Sequence, residues 1–345
     1  MTLKDIAEKL GVSPSTVSRV ISGTGNNFSV KPELRQRILD YVNECGYQPN
    51  QAYQAMRQKN NQQVSIIMGN HWGTTSEASV TTAIRSLCDI LFDEGFSFHY
   101  LIRISEQYPS YGLPQWKVAG AVAVDVRHAG VIEELNNSKI PYVVLNGISG
   151  TRGNAVQTDE IYNMNLALEH LFELGHRKIV YVNAYRPADL MPMSYQESHY
   201  SVLRRAEAYF DFCRTHGLVP QETAGSCSFS NKEVVETGIA NGATAYVAYS
   251  FGTYMEICYH LRQNGFNIPE DVSVICFNNP LSAFSTPPAT CIDIPFEEMG
   301  ETAGKLLLDQ IRNPGKKPVT QMLPGKLILR ESTAPVLKNK TKEKK

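Results

Sequence analysis

Residues 3–20 read LKDIAEKLGVSPSTVSRV and carry the clearest structural pattern of the N-terminal part of the chain. Apolar residues recur at helical spacing up to Leu10, and Gly11 ends this first helix. Ser13 is placed to cap a second helix, with Pro14 in its first turn, where a missing N–H group costs nothing. The stretch therefore predicts two short helices joined by a tight turn.

The second helix presents short polar side chains on its outer face. Arg19 has the geometry to donate two hydrogen bonds to a guanine, and short hydroxyl groups suit base edges or phosphates. This pattern is typical of a helix-turn-helix whose second helix enters the major groove of DNA. An ordinary helical bundle is the alternative, but its outer face would carry Glu and Lys instead. We predict DNA contacts from five residues: Ser13, Ser15, Thr16, Ser18 and Arg19.

Charge and composition narrow the functional classes. The 345 residues have a formal net charge of −1, so any affinity for DNA must come from a local patch. Through Asn60 the chain carries eight Lys or Arg against five Asp or Glu. This small excess predicts weak DNA binding by a single copy and useful affinity only in a dimer.

Motifs of catalysis, metal binding and export do not occur in the sequence. There is no H-E-x-x-H, no phosphate-binding G-x-x-x-x-G-K-[ST] and no G-x-S-x-G, so we expect neither an enzyme nor a bound metal or cofactor. His176, which follows a helix-ending glycine, is expected to have a structural role. Without a signal peptide or an apolar run that would span a bilayer, we expect a cytoplasmic protein that does not contact membranes.

The sequence changes character twice. A third helix from about Pro32 to Glu44 completes a DNA-binding domain over residues 1–47. Residues 48–62 are rich in amides and have little to bury, so they predict a hinge that is helical only against a partner. Residues 338–345 are rich in lysine and predict a disordered basic tail.

From Val64 onward, strand and helix patterns alternate, with glycines after most helices. This rhythm is typical of doubly wound parallel α/β sheets, and the strands are too many for one small sheet. We therefore expect two lobes within residues 63–337: an N-lobe of about 63–159 plus 295–323 and a C-lobe of about 160–294 plus 324–337. Seven strands are predicted: Val64–Gly69, Phe96–Ile104, Gly120–Val126, Tyr142–Leu145, Lys178–Asn183, Ala245–Tyr249 and Val272–Phe277.

Several stretches resemble the LacI/GalR family of bacterial transcription regulators. The DNA-binding stretch matches at Leu3–Ala7, Gly11–Ser13, Thr16–Val20, Gly46–Tyr47 and Pro49–Asn50. Further matches continue to the C-terminal part of the chain: Leu174–Ile179, Ile268–Val274 and Leu329–Thr333. The resemblance implies an operator-binding homodimer with a periplasmic-binding-protein-like sensor, which in this family is usually a repressor of carbohydrate genes. It also implies hinge contacts to DNA, which we assign to Asn50, Tyr53 and Met56.

The resemblance further implies an effector site in the cleft between the lobes. Matching strand ends to the family assigns His71, Trp72, Asn146, Arg204, Phe229, Ser250, Phe251 and Asn278 to this site. Arg204 matches the family's anchoring arginine, and we expect its guanidinium to face the cleft. An aromatic face with amide and hydroxyl groups suits a sugar.

Two departures from the family leave the effector open. Ser250-Phe251 and Asn278 stand where the family has Asn-Asp and Asp, so an acidic or larger ligand is the alternative to a sugar. A sensor of a non-sugar ligand with an activating head, and a catalytic or transport protein on the same fold, are the alternative functions.

Overall fold

The structure is a computed structural model that describes residues 2–22, 30–47, 62–68, 77–102, 113, 117–126, 129–183, 199–221, 231–277 and 280–336. The chain divides into two units, Met1–Asn61 and Gln62–Lys345. The predicted hinge contacts and the basic tail lie outside the described residues. Within the described ranges, no helix combines the length and the apolar character that crossing a membrane requires.

The smaller unit contains three described helices around a small apolar core. Their bounds are Leu3–Leu10 (α1), Pro14–Ser22 (α2) and Pro32–Glu44 (α3). Thr2 and Asp5 form a reciprocal capping box at the start of α1, and Gly11 ends that helix with a φ of +67°. The core is built from one apolar face of each helix: Ile6, Ala7, Val17, Val20, Ile38 and Val42.

The N-lobe of the larger unit is a six-stranded parallel sheet in the order β10-β5-β4-β3-β1-β2. Its strands are Gln63–Met68 (β1), Ser97–Ile102 (β2), Gly120–Val124 (β3), Tyr142–Leu145 (β4), Asn154–Thr158 (β5) and Thr320–Leu323 (β10). Its helices are Glu77–Asp93 (α4), Ala129–Ser138 (α5) and Phe296–Arg312 (α10).

The C-lobe is a five-stranded sheet in the order β11-β9-β8-β7-β6. Its strands are Ile179–Val182 (β6), Ala245–Ala248 (β7), Ser273–Phe277 (β8), Thr290–Asp293 (β9) and Lys326–Ile328 (β11). Its helices are Glu160–Glu173 (α6), Tyr200–Thr215 (α7), Asn231–Ala240 (α8) and Phe251–Gln263 (α9), with a short 3-10 turn at Pro280–Phe284. The chain passes between the lobes at residues 158–160, 293–296 and 323–326.

The predicted fold class, a helix-turn-helix head and a two-sheet parallel α/β sensor, is confirmed. One detail differs from the predicted parallel sheets: β11 runs antiparallel to β9 at the edge of the C-lobe sheet. Four strands were not among the predicted runs: β5, β9, β10 and β11.

His176 joins three separate segments of the C-lobe. Its Nδ1 lies 3.0 Å from Thr244 Oγ1, and its Nε2 lies 3.0 Å from Ser273 Oγ and 3.1 Å from the Ala334 carbonyl oxygen. Burial lowers the pKa of His176 from 6.5 to about 4, although the Ala334 carbonyl acts in the opposite direction. The buried imidazole therefore stays neutral and has the expected structural role.

We expect the larger unit to lose stability as the pH falls from about 6.5 to about 4. In this interval the unfolded chain takes up a proton that folded His176 excludes, and below it the loss levels off. Both tryptophans, Trp72 and Trp116, lie in the larger unit, so urea unfolding followed by tryptophan fluorescence reports on it. The His176→Gln variant should show a shallower pH dependence, with His260→Gln as the control. Parallel curves for wild type and His176→Gln would contradict this role.

Candidate functional site: a helix-turn-helix and a polar cluster between two lobes

The recognition face of the smaller unit is the outer side of α2. Ser13 fixes where this helix starts, because its hydroxyl accepts a hydrogen bond from the Thr16 backbone N–H at 3.1 Å. Val17 is fully buried, which turns the opposite side of the helix outward. Ser15 and Arg19 are exposed there. The face therefore has the short polar composition that suits a DNA groove.

In the larger unit, two polar residues follow neighbouring N-lobe strands in an unusual backbone conformation. Asp125 follows β3 with a φ of +50°, and Asn146 follows β4 with a φ of +55°. Left-handed conformations of non-glycine residues cluster at ligand and switch sites. The Asn146 Nδ2 donates to the Asp125 carboxylate at 3.3 Å, so the two side chains form one unit.

The start of α7, which belongs to the C-lobe, meets this N-lobe pair. The Nε2 of buried His199 lies 3.0 Å from the Asp125 carboxylate and 2.8 Å from the Asn146 carbonyl oxygen. Because both neighbours are acceptors, Nε2 carries the proton. Tyr200 accepts from the Thr158 N–H at 3.0 Å and donates to Asn146 Oδ1 at 3.1 Å. Polar side chains thus hold the two lobes together.

The contact continues into the C-lobe through Ser201. Its hydroxyl lies 2.7 Å from His199 Nδ1 and 2.7 Å from the Tyr249 hydroxyl, next to the carboxyl end of β7. The interlobe cluster, defined as Asp125, Asn146, His199, Tyr200 and Ser201, therefore forms one hydrogen-bonded chain that starts at two N-lobe strand ends.

A buried ion pair lies beside this cluster. Arg205 Nε and Nη2 donate to the two carboxylate oxygens of Glu160 at 2.5 and 3.0 Å, and Nη1 donates to the Tyr249 carbonyl oxygen at 2.6 Å. The guanidinium carbon stacks 3.6 Å from the centre of the Phe277 ring. Burial is the largest single influence on the pKa of Arg205 and acts to lower it. The charge and hydrogen bonds of Glu160, with smaller contributions from Tyr249 and Tyr181, together outweigh burial and raise the pKa. The pair is buried, and each guanidinium nitrogen of Arg205 donates a hydrogen bond.

Arg204 does not have the orientation expected from the sequence. Its side chain is 57 % exposed and pairs with Glu207 on the same helix at 3.0 Å. Consecutive residues of a helix point about 100° apart, so burial of Arg205 turns Arg204 away. The arginine of α7 that points into the protein is therefore Arg205 and not Arg204.

Of the other predicted effector residues, three are described by the structure and four are not. Asn146 is part of the interlobe cluster, whereas Ser250 caps α9 by accepting from the Thr253 N–H at 3.2 Å. Phe251, the first residue of α9, stacks on Tyr254. Four further residues lie outside the described ranges: His71, Trp72, Phe229 and Asn278.

Six residues of this region were not predicted from the sequence: Asp125, Glu160, His199, Tyr200, Ser201 and Arg205. Asp125 was hidden inside a predicted strand that continued to Val126, whereas the strand ends at Val124. In the described part of the chain, no three His, Cys, Asp or Glu side chains converge as a metal site.

Two sequence profiles match the chain. A profile described as bacterial regulatory proteins of the lacI family matches residues 2–50, and one described as a periplasmic binding protein-like domain matches residues 168–333. The HTH-type transcriptional regulator GalR of Streptococcus thermophilus is 28 % identical, over 96 % of this chain and 99 % of GalR.

Solved structures show the same fold. A lac repressor dimer bound to operator and an anti-inducer has a TM-score of 0.75 at 21 % identity, and the match covers 97 % of this chain and 99 % of that one. A complex of the transcriptional regulator CelR with cellobiose has a TM-score of 0.65 at 22 % identity, covering 96 % and 99 %. The smaller unit is a helix-turn-helix DNA-binding domain and the larger unit an effector-binding domain. The chain belongs to the LacI/GalR family of transcription regulators, whose members are not enzymes.

We expect Glu160→Gln to destabilise the larger unit by about 3–5 kcal/mol, because it leaves the Arg205 charge buried without a counterion. Urea unfolding followed by tryptophan fluorescence measures the loss. Glu207→Gln is the matched control: it removes the partner of exposed Arg204 and should change the stability by less than about 0.5 kcal/mol. Equal losses in the two variants would show that the buried pair has no special role.

Proposed function

We propose that the protein is a repressor that binds a near-palindromic operator as a homodimer and responds to a carbohydrate bound between its lobes. The observation that carries this proposal is the presence, in one chain, of an exposed polar recognition helix and of two lobes that meet through hydrogen-bonding side chains. The operator and the cellobiose in the structures of its relatives support the same combination.

On the DNA side, we propose that Arg19 reads a base and that Ser15, Thr16 and Ser18 contact base edges or phosphates. Ser13 contributes by fixing the start of α2. We retain Asn50, Tyr53 and Met56 as hinge contacts, on the family resemblance alone.

On the effector side, we propose that the ligand meets the carboxyl ends of the strands, where parallel α/β sheets bind their ligands. Asn146 is the best supported contact, because it already exchanges hydrogen bonds between the lobes. His71, Trp72, Phe229, Ser250, Phe251 and Asn278 remain proposed contacts. Arg204 is no longer proposed as the anchor.

Selection of duplexes from a random-sequence library by the full chain tests DNA recognition. We expect enrichment of one motif with two inverted half-sites, and enrichment without a motif would contradict the proposal. A reporter gene with that motif at its promoter then separates repressor from activator: removing the regulator raises expression from a repressed gene and lowers it from an activated one.

We expect Arg19→Ala to weaken binding to the selected duplex by about 1–3 kcal/mol and to relax the preference at one position per half-site. Lys9→Ala, a change of an exposed residue in the last turn of α1, is the control for loss of positive charge. Fluorescence anisotropy on a set of single-substitution duplexes measures both effects. An equal loss on every duplex would assign Arg19 to a phosphate.

We propose that an exposed apolar face of the C-lobe is the homodimer surface. Met255 and Tyr259 lie one turn apart on α9, and Leu281 and Phe284 lie on the 3-10 turn. The two elements adjoin, because Arg262 on α9 donates to the Thr286 carbonyl oxygen. A second copy is the occupant that a palindromic operator requires.

We expect Phe284→Asp to shift the protein toward monomer in sedimentation velocity, because it places a charge at the centre of an apolar interface. Phe284 is 83 % exposed. Val219→Asp is the matched control, since Val219 is 75 % exposed elsewhere on the same unit. A wild-type monomer at micromolar concentration, or equal effects of the two changes, would refute this dimer surface.

A further inference from the structure

A cavity of about 450 Å³ lies where β9 leads out of the C-lobe into α10 of the N-lobe. One wall is the first part of α4, and another is the crossing segment with the first two turns of α10. The cavity is therefore lined by both lobes, as expected of an effector site in this fold.

Carboxylates dominate the charge of this cavity. Asp293, Glu297, Glu298 and Glu301 line it, and no Lys, Arg or His does among the described residues. Glu297 and Glu298 lie in the first turn of α10, where the positive end of the helix dipole stabilises carboxylates. Glu301 pairs with Lys305 on the same helix at 3.0 Å. Asp293 lies at the end of β9, before α10 begins, so its presence in the cavity is not explained by the dipole of that helix.

Asp293 is a half-buried carboxylate, and none of the described residues that influence its pKa does so through a hydrogen bond. Burial raises its pKa, and the positive charges of Arg330 and Lys326 act in the opposite direction without offsetting that effect. A carboxylate in this position gains from a cation that enters the cavity, because the ion pair restores the stabilisation lost with its water.

Ser79 gives a second and independent indication of a ligand. It lines the cavity from α4 and is only 2 % exposed, and its hydroxyl has no hydrogen-bond partner within the described chain. A buried hydroxyl without a partner destabilises the folded chain, and a hydrogen bond to a hydroxyl of a ligand removes that penalty. The Phe296 ring adds an apolar wall of the kind on which sugar rings stack.

An acidic ligand would need an arginine available to bind it, and both arginines of α7 are already paired with glutamates. The exposed guanidinium of Arg204 pairs with Glu207, and the buried guanidinium of Arg205 is already neutralised by Glu160. An anionic ligand in the cavity would instead meet four carboxylates.

We propose that the effector is an amino sugar whose ammonium group pairs with Asp293, whose hydroxyl groups reach Ser79 and whose ring lies against Phe296. This inference rests on the proposed carbohydrate-responsive function and names the class of carbohydrate. Replacing one hydroxyl of a hexose by an ammonium group is then the change that the site recognises.

Isothermal titration calorimetry on the full chain tests the assignment with three aminohexoses, glucosamine, galactosamine and mannosamine, against glucose, galactose and mannose. We expect at least one aminohexose to bind about 10- to 100-fold more tightly than its parent hexose, as a charge-assisted hydrogen bond allows. Asp293→Asn should abolish this preference, and Ser79→Ala should weaken binding about fivefold. Glu270→Gln, which removes an exposed carboxylate outside the cavity, should change neither.

The outcomes separate this inference from the proposed function. Equal binding of hexose and aminohexose, or a preference that survives Asp293→Asn, overturns the amino sugar and leaves carbohydrate sensing in place. Binding of none of the six compounds by a chain that still selects a palindromic motif overturns the amino sugar and leaves DNA recognition standing. Asp293-dependent aminohexose binding by a chain that selects no DNA motif supports the inference and contradicts the proposed function.

Discussion

The ion pair between Glu160 and Arg205 sets the position of α7, the C-lobe helix whose N-terminal end meets the N-lobe. Glu160 is the first residue of α6, directly after the chain enters the C-lobe, and Arg205 lies in the second turn of α7. Taking two charges out of water costs several kcal/mol each, and the pair offsets this cost because each of the three guanidinium nitrogens of Arg205 donates a hydrogen bond. Its geometry fixes the rotation of α7. That rotation turns Tyr200 and Ser201 toward the N-lobe and β7 and turns Arg204 toward solvent.

The interlobe cluster gives the larger unit a way to respond to a ligand. Its members bond to one another, with Asp125 and Asn146 held in left-handed conformations. In the proposed function, a ligand that exchanges some of these bonds for its own favours the lobe arrangement in which the exchange is complete. Such a ligand shifts the population of lobe arrangements only by its difference in affinity for them.

Much of the fold was predictable from local pattern, and the rest depended on tertiary contacts. Runs of β-branched and apolar residues predicted buried central strands such as Tyr142–Leu145 with its bounds. The edge strand Thr320–Leu323 was missed because three of its four residues are exposed and carry no apolar run. Around the site, Asn146 was found because it directly follows a clear strand. Which of Arg204 and Arg205 points inward depends on the residue at which α7 starts. The sequence before His199 has no apolar pattern from which that start could be predicted.

In the proposed function, effector and DNA act on one equilibrium of the same chain, so each changes the affinity of the chain for the other by the same factor. The measurement is the affinity of the full chain for glucosamine, by calorimetry, with and without a saturating amount of its selected duplex. We expect the duplex to change the glucosamine affinity by the same factor by which glucosamine changes the duplex affinity. An identical glucosamine affinity in the presence and absence of the duplex, with both ligands bound, would contradict it.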